Sequence, residues 1–507
     1  MGTNRIKRFS LLFLCLFFFI GFSVNGLSQP KTLVIGHGGE PAHLNPLTLS
    51  QPSMDRVFNI SEPLVYLDAD ANPIPALAIK WEVAEGKKWR FHLRKDVTFH
   101  NGDKFTAKDV AFTIDYAKDP KNKCERRGLV KDYTYEIIDD YTINIIHEKG
   151  TIDPILPAVW YCILILPADG VAKIGIDKFT QGPIGTGPFQ FVEWKKGEHV
   201  ILKAYDKYWG GKAKIDTIIY KTIPEAATRI VGLKTGDLDI ITDPPPVEVK
   251  SIEANPKLEI RKKASLYSMH LQLRCDISPF KDNINLRKAV GHAIDSEAIT
   301  KQVLGGFGIP EGSVTPNTAF GYNKNVKPYK YDPGLAKEFL KKSGYKGEEI
   351  KYVSSNGRYF MDIEVNTAIA GYLKAIGLNI KLELNDWPTW IDKFTNHKIE
   401  PIFLVGWCDN SGDGVENLFD TAHIDSPYNW LDKGGIPEVN QLITTAKTVL
   451  DKNARREAME KANQILNDYY YYGMCYTPVK VFGVRKGVKW SPRADETIYI
   501  SNKDEKN

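Results

Sequence analysis

The sequence predicts an α/β protein of two or three domains, and three observations lead there. At 507 residues the chain exceeds what a single hydrophobic core organises. Strand-like and helix-like patterns alternate through its middle. Short β-patterned runs lie near both ends, so the chain is expected to cross between lobes more than once. Apolar residues make up 43% and charged residues 25%, with no low-complexity block, which places the chain with folded rather than disordered proteins.

Residues 1–28 have the form of a signal peptide. MGTNRIKR is basic, Leu11 to Ile20 is apolar, and Val24-Asn25-Gly26 supplies the small residues for cleavage near 26–28. The apolar run is about half of what spans a bilayer, so export is expected rather than anchoring. Cys15 follows Leu14 where a lipidation site needs a small residue. Loss of Arg5, Lys7 and Arg8 with the leader takes the formal charge from +5 to +2. That excess is too small to indicate nucleic acid or a membrane surface as a partner. Cys124, Cys162, Cys275, Cys408 and Cys475 remain, and the absence of CxxC spacing argues against a cysteine zinc site.

The elements then follow in order. KTLVIGHGG, residues 31–39, is a strand entering a glycine turn, with no following GKS or GKT to make it a phosphate loop. In residues 87–119 the alternation of Trp89, Phe91 and Leu93 and the turn Asn101-Gly102 give a ribbon of strands. Thr106 caps a helix carrying Val110, Ala111 and Ile114, with Asp109 at its third position. His92 and His100 have no third ligand at metal spacing, so packing or surface roles are expected. Two strands flank Asp139-Asp140, and after Pro224-Glu225 a helix runs to Gly236 and is followed by the strand DLDII. A second α/β region starts near Leu266: strand SLYSMHLQLR, a helix capped by Asn285, a helix from Asp332-Pro333 to Gly344, a helix ending at Gly377, and strand PIFLVGW. Residues 437–472 are expected to be helical and YTPVKVFGVRKGVKW to be a strand.

Behind PIFLVGW comes CDNSGDGVENLFD, for which the residues alone leave three chemistries open. Asp409, Ser411, Asp413, Asn417 and Asp420 fit positions 1, 3, 5, 9 and 12 of a calcium loop, although Asp420 is shorter than the glutamate such loops use and a strand precedes it. Asp409 and Asp413 could pair as hydrolytic acid and base, but nothing fixes their separation, and Cys408 has no histidine partner. The third chemistry suits the setting at a strand end: backbone groups of Gly406, Trp407 and Cys408, the Trp407 ring, and the side chains of Asp409, Asn410 and Asp413 orient a polar organic solute.

The block ALAIKWEVAEGKKWRFHLRKDVTFHNGDKFTAKDV at 76–110 resembles the signature of the family 5 extracellular solute-binding proteins, which include dipeptide- and oligopeptide-binding components of ABC importers. GTGPF at 185–189, AYDKYWGGKAKID at 204–216, PFKDNINLRKAVGHAID at 279–295, the YDP helix at 331–344 and Gly406-Trp407 recur in the family's order. The resemblance covers essentially the whole mature chain. It implies a periplasmic binding protein fold of type II in its large cluster C form: two lobes, a hinge, and an extra subdomain in lobe one. Lobe one would comprise residues 30–57, 184–264 and 481–507, the subdomain 58–183, and lobe two 265–480. The implied partners are a small solute, by family a peptide, and the membrane permease of an ABC importer with its ATPase subunits. No nucleic acid, cofactor, metal or catalysis is implied, and a periplasmic monomer is expected.

In peptide-binding relatives an aspartate three residues after the tryptophan of the GW pair meets the peptide's amino group. Here that position is Asn410, with Asp409 one place early. Gly38, Gly39 and Glu40 fall at a strand end that faces the cleft in relatives, although a simple turn would need the same residues. Arg358 in SSNGRYFMD could grip a carboxylate with its planar fork or simply be a surface arginine. Tyr359, Trp387, Trp390, Trp407, Tyr428 and Trp430 are candidates for an aromatic wall, Trp407 and Trp430 foremost. Cys275 and Cys408 are either a disulfide or two independent thiols.

Overall fold

The structure, a computed structural model, describes residues 31–48, 51–68, 72–408, 411–432, 434–502 and 505–506. The expected leader and Cys15 lie outside these residues. Among the described residues no helix is long and apolar enough to cross a membrane.

A 12-stranded sheet runs through the molecule. Its first part is built around Thr32–His37, whose alternate residues Leu33 and Ile35 are fully buried. This strand runs parallel to Thr217–Thr222 on one side and to Ile240–Thr242 on the other, with His199–Ala204 and Phe189–Lys195 continuing antiparallel outward. The second part is built around Tyr267–Leu273, antiparallel to Ile402–Cys408. Ile350–Ser355 lies parallel to both Ile380–Asn385 and the start of Ile402–Cys408.

One strand belongs to both parts. Tyr472–Arg485 pairs through its first half with Tyr267–Leu273 and Gly308–Glu311, and through its second half with Leu258–Ala264 and Ile240–Thr242. Pro478 falls at the changeover, where the Ser265 N–H donates to its carbonyl at 2.9 Å. The chain therefore passes between the two parts of the sheet at 264–267 and again at 477–479.

A separate four-stranded antiparallel sheet, in the order Ala78–Ala84, Lys88–Leu93, Thr142–His147, Tyr133–Asp139, is covered by the helix Ala107–Lys118. Phe91 and Leu93 point into its core while Trp89 donates its indole N–H to the Asp153 carbonyl at 2.7 Å. The Thr106 backbone N–H donates to Asp109 at 2.9 Å, closing the helix start read from the sequence. His92 contacts Glu82 and His100 contacts the Gly187 carbonyl, so both histidines have non-metal partners. Gly185 of the GTGPF run has no room for a side chain, since a Cβ there would lie 2.0 Å from the Ile60 carbonyl oxygen.

Several boundaries differ from expectation. The cap before Ile284–Ala293 is Asn283, whose side chain accepts from Leu286 N–H at 3.1 Å, and not Asn285. Residues 437–472 form two helices, Pro437–Thr448 and Lys452–Asp468, because Asp451 accepts from Ala454 N–H at 2.7 Å and starts a new helix. Tyr472 is already strand.

Candidate functional site

Strand Ile402–Cys408 enters fully buried and becomes half-exposed from Gly406 onward, so its carboxyl end opens on a cavity. Gly406 is required by contact: a Cβ there would come within 2.8 Å of the Tyr359 ring and 2.6 Å of Met269 Sδ. The Gly406 N–H donates to the Tyr359 hydroxyl at 3.1 Å. Tyr359 and Arg358 are held in turn by Asp362, which is 4% exposed and accepts from the backbone N–H groups of Gly357, Arg358 and Tyr359 at 3.1, 2.9 and 3.2 Å. A buried carboxylate saturated by backbone donors thus fixes the loop that presents both residues.

Two cavities meet at Tyr267, Arg358 and Tyr359. The first, about 300 Å³, has an aromatic wall of Trp387, Trp390, Phe394, Trp407 and Tyr428. Met54, Tyr161, Cys162 and Asp495 face it from the other part of the molecule. The helix Trp387–Thr395 places Trp387, Trp390 and Phe394 on one side at spacings of three and four, and Asp386 caps it by accepting from Thr389 N–H at 2.8 Å. Their rings stack in series, Trp387 on Trp390 at 5.1 Å and Trp390 on Phe394 at 5.0 Å, and Tyr428 stacks on Phe394 at 5.0 Å. The second cavity, about 460 Å³, lies under His37, Gly38 and Gly39 and reaches the changeover residues Pro478 to Val481.

Charge in the second cavity is balanced. Lys480 Nζ lies 2.9 Å from Asp243 and 3.7 Å from Glu496. Burial acts to lower its pKa, but the two carboxylates hold it above its ordinary value. His37 contacts Asp55 at 3.0 Å, burial lowers its pKa, and its Nδ1 accepts from Gly39 N–H at 2.8 Å, which shapes the glycine turn. The Arg358 guanidinium stands 5.2 Å from the Tyr359 ring centre and 5.1 Å from that of Trp387, open to the cleft.

Of the residues singled out from the sequence, Gly406, Trp407 and Cys408 line the first cavity, Gly38 and Gly39 the second, and Arg358 and Tyr359 both. Asp409 and Asn410 lie outside the described residues. Three expectations are corrected. Glu40 lines neither cavity: its carboxylate accepts from Trp194 Nε1 at 2.9 Å and Thr222 Oγ1 at 2.5 Å. Although its partial burial acts to raise its pKa, these bonds hold it below the ordinary value. Asp413 is 8% exposed and binds Arg455 at 2.7 Å, which removes it from a hydrolytic pair and from a calcium loop. Asn417, the ninth position of that loop, donates instead to the Val314 carbonyl at 3.1 Å. Trp430 lines neither cavity: it is packed between Phe394 and Phe403 with Arg274 over its ring, so it is core rather than wall.

Cys275 and Cys408 are independent thiols. Cys408 pairs with Tyr267 at one end of the strand pair, whereas Cys275 lies beyond Leu273 at the other end. Sequence reasoning passed over Tyr267, Asp362 and the Lys480 network, and took Asp420 only as the last position of a calcium loop. Trp387 and Trp390 could have been preferred over Trp430 from the i, i+3, i+7 spacing of Trp387, Trp390 and Phe394.

Comparison with known proteins gives a consistent picture. The family model "Bacterial extracellular solute-binding proteins, family 5 Middle" matches residues 72–425. The chain is 26% identical over 490 residues to the dipeptide-binding protein of Escherichia coli, covering 89% of this chain and 90% of that protein. It is 30% identical over 294 residues to heme-binding protein A of Haemophilus influenzae, covering 54% of each. Among solved structures, the periplasmic binding protein DppA from Helicobacter pylori in complex with the peptide STSA superposes with a TM-score of 0.79 at 26% identity, over 93% of this chain and 98% of that one. The fold is the two-lobed α/β architecture of these binding proteins.

Proposed function

Since this chain belongs to family 5 of the bacterial extracellular solute-binding proteins, a group of receptors rather than enzymes, we propose that it captures a dipeptide or oligopeptide between its lobes and delivers it to an ABC importer. The observation that carries this reading is the pair of cavities joined at Tyr267, Arg358 and Tyr359, with walls drawn from both parts of the sheet. Arg358 takes the ligand's carboxylate through a charge-assisted bond, in a position already fixed by Asp362. Backbone groups from Gly406 to Cys408 meet the ligand's main chain, and Trp407 and Tyr359 flank it. Asp409 and Asn410 follow directly in sequence and complete that end of the site, while Gly38 and Gly39 close the opposite side.

Lobe one in this reading consists of residues 30–57, 184–264 and 481–507, the subdomain of 58–183 and lobe two of 265–480. Closure bends the two connecting segments at 264–267 and 477–479, and tighter binding to the closed form shifts the equilibrium toward it. The chain acts as a periplasmic monomer after removal of a leader near residues 26–28, and its partners are the membrane permease and associated ATPase subunits. Calorimetric titration of the mature protein with dipeptides, tripeptides and nonapeptides tests this. Saturable one-to-one binding of at least one length, weakened about tenfold or more by Arg358→Ala, is expected, from the roughly 1.5–3 kcal/mol of a charged hydrogen bond. Turnover of the peptide, or an absence of binding at every length, counts against it.

A second reading is favoured by Asn410, which lacks the charge that would compensate a peptide's ammonium group. The solute is then nonpeptide, such as an oligosaccharide or metal chelate. Native mass spectrometry of the purified protein before and after mild unfolding separates the two by the mass of any retained molecule.

A further inference from the structure

The first cavity holds a carboxylate that the proposed peptide contacts do not use. Asp420 sits on the helix Val415–Ala422, which presents its inner face to the interior and leaves Asp420 half-buried on the cavity lining. Its side chain takes no hydrogen bond or ion pair among the described residues. Lys447 acts on it electrostatically without forming an ion pair, its Nζ standing 4.3 Å from the Phe419 ring centre. Around it stands the aromatic series already described, with Trp407 against Tyr428 at 5.3 Å and against Phe394 at 6.1 Å. A charge withdrawn from water needs a compensating partner, and ring faces attract cations. A carboxylate without a hydrogen-bonding partner among the described residues, on a cavity lined by several indole and phenol rings, is the chemistry of a cation receptor.

We propose that Asp420, with the rings of Trp387, Trp407 and Tyr428, forms a subsite for an organic cation of the ligand, an alkylammonium or guanidinium group. This deepens the receptor reading and rests on it, because the subsite opens into the same cleft. Arg358 at the junction of the cavities repels that cation from its own position and favours an anionic group there. The other charged groups on this cavity are Arg126, whose Nε donates to the Thr48 carbonyl at 3.1 Å, and Asp495, which accepts from Arg493 and from Thr497 N–H at 2.9 Å each, so a ligand's anionic end is favoured at Arg358 and its cationic end at Asp420. Burial pushes the Asp420 carboxyl up to about 6, so the subsite is charged at neutral pH and loses its charge in acid.

The cation has two sources within a peptide, the terminal ammonium and a basic side chain, and titration calorimetry can separate them. The probes are Ala-Ala-Ala, N-acetyl-Ala-Ala-Ala, Ala-Lys-Ala and Ala-norleucine-Ala, with choline as a cation that is not a peptide. Wild type and Asp420→Asn, which keeps the shape and removes the charge, are compared at pH 7.5 and pH 5. The expected result is that Asp420→Asn weakens the preferred cationic probe by about tenfold or more at pH 7.5 and its neutral counterpart by less than about twofold. Wild type loses about tenfold for that cation at pH 5, and the variant does not. Loss on acetylation identifies the terminal ammonium as the occupant, and discrimination of lysine from norleucine identifies a side chain. Trp407→Leu, which leaves the carboxylate in place, also weakens the cation more than its neutral counterpart. Equal affinities for charged and neutral probes, or an unchanged cation preference in Asp420→Asn, overturns the subsite while leaving peptide capture intact. Asp420-dependent choline binding with no peptide binding overturns peptide capture and leaves the subsite. Binding of no probe by wild type overturns both.

Discussion

Replacing Asp413 by alanine separates a structural role from a ligand-binding one. The side chains of Asp413 and Arg455 are 12% and 7% exposed, and they meet at 2.7 Å. Arg455 Nε also donates to the Ala446 carbonyl at 2.7 Å, so the guanidinium is held in place whatever happens to its partner. Asp413→Ala therefore leaves a buried cation without its charged partner. Breaking a buried pair in this way costs about 3–5 kcal/mol. At roughly 2–4 °C per kcal/mol for a cooperative unit of 150–250 residues, the melting temperature falls by roughly 10 °C. Differential scanning calorimetry reads this directly, and titration of the folded variant with a peptide that wild type binds should give an affinity within about twofold. Replacing both partners with apolar residues, Asp413→Leu with Arg455→Met, should recover most of the loss, since such pairs are commonly near neutral against well-packed hydrophobic groups. An Asp413→Ala protein with wild-type melting and no ligand affinity would refute the assignment of Asp413 to the scaffold.

Three further outcomes are expected. Trp430→Ala costs about 3–5 kcal/mol in urea denaturation and leaves peptide affinity alone, whereas Trp407→Ala weakens binding with little loss of stability; the reverse order would exchange their assignments. Gly406→Ala forces apart Tyr359 and Met269 and breaks the Gly406 bond to the Tyr359 hydroxyl, at a cost of about 1–3 kcal/mol together with a measurable drop in peptide affinity by calorimetry. Glu311 is 3% exposed, accepts from Tyr322 and Thr477, and is pushed by burial from 4.5 to about 7. The folded state keeps this proton to higher pH than the unfolded chain, so stability declines as pH rises from about 4.5 to 7. Glu311→Gln should reduce that decline in urea melts at pH 5 and pH 8, and an unchanged slope would show that Glu311 is not its source.

What could be read from the sequence was what local chemistry decides. Thr106 with Asp109, Asp332 with Pro333, and the glycines that end helices at 236, 344 and 377 all act within a few residues of themselves, and the helices begin and end beside them. Asn283 was missed for Asn285 because two asparagines compete two residues apart, and only the one whose side chain reaches Leu286 N–H serves. Within the site, Gly406-Trp407 was readable from its place at a strand end. Asp413 was misread because its partner Arg455 lies 42 residues away, a separation over which no local pattern speaks. Trp430 failed for a similar reason: composition cannot tell a tryptophan facing a cavity from one packed against Phe403.

The strand Tyr472–Arg485 also bears on how the chain reaches its final form. It lies at the centre of the sheet order, between Tyr267–Leu273 and Ile240–Thr242. Until residue 485 is present, both halves keep an open central edge, and no backbone ladder joins them. Synthesis therefore delivers the joining strand after every other strand of that sheet, and the two halves gain their common ladder last.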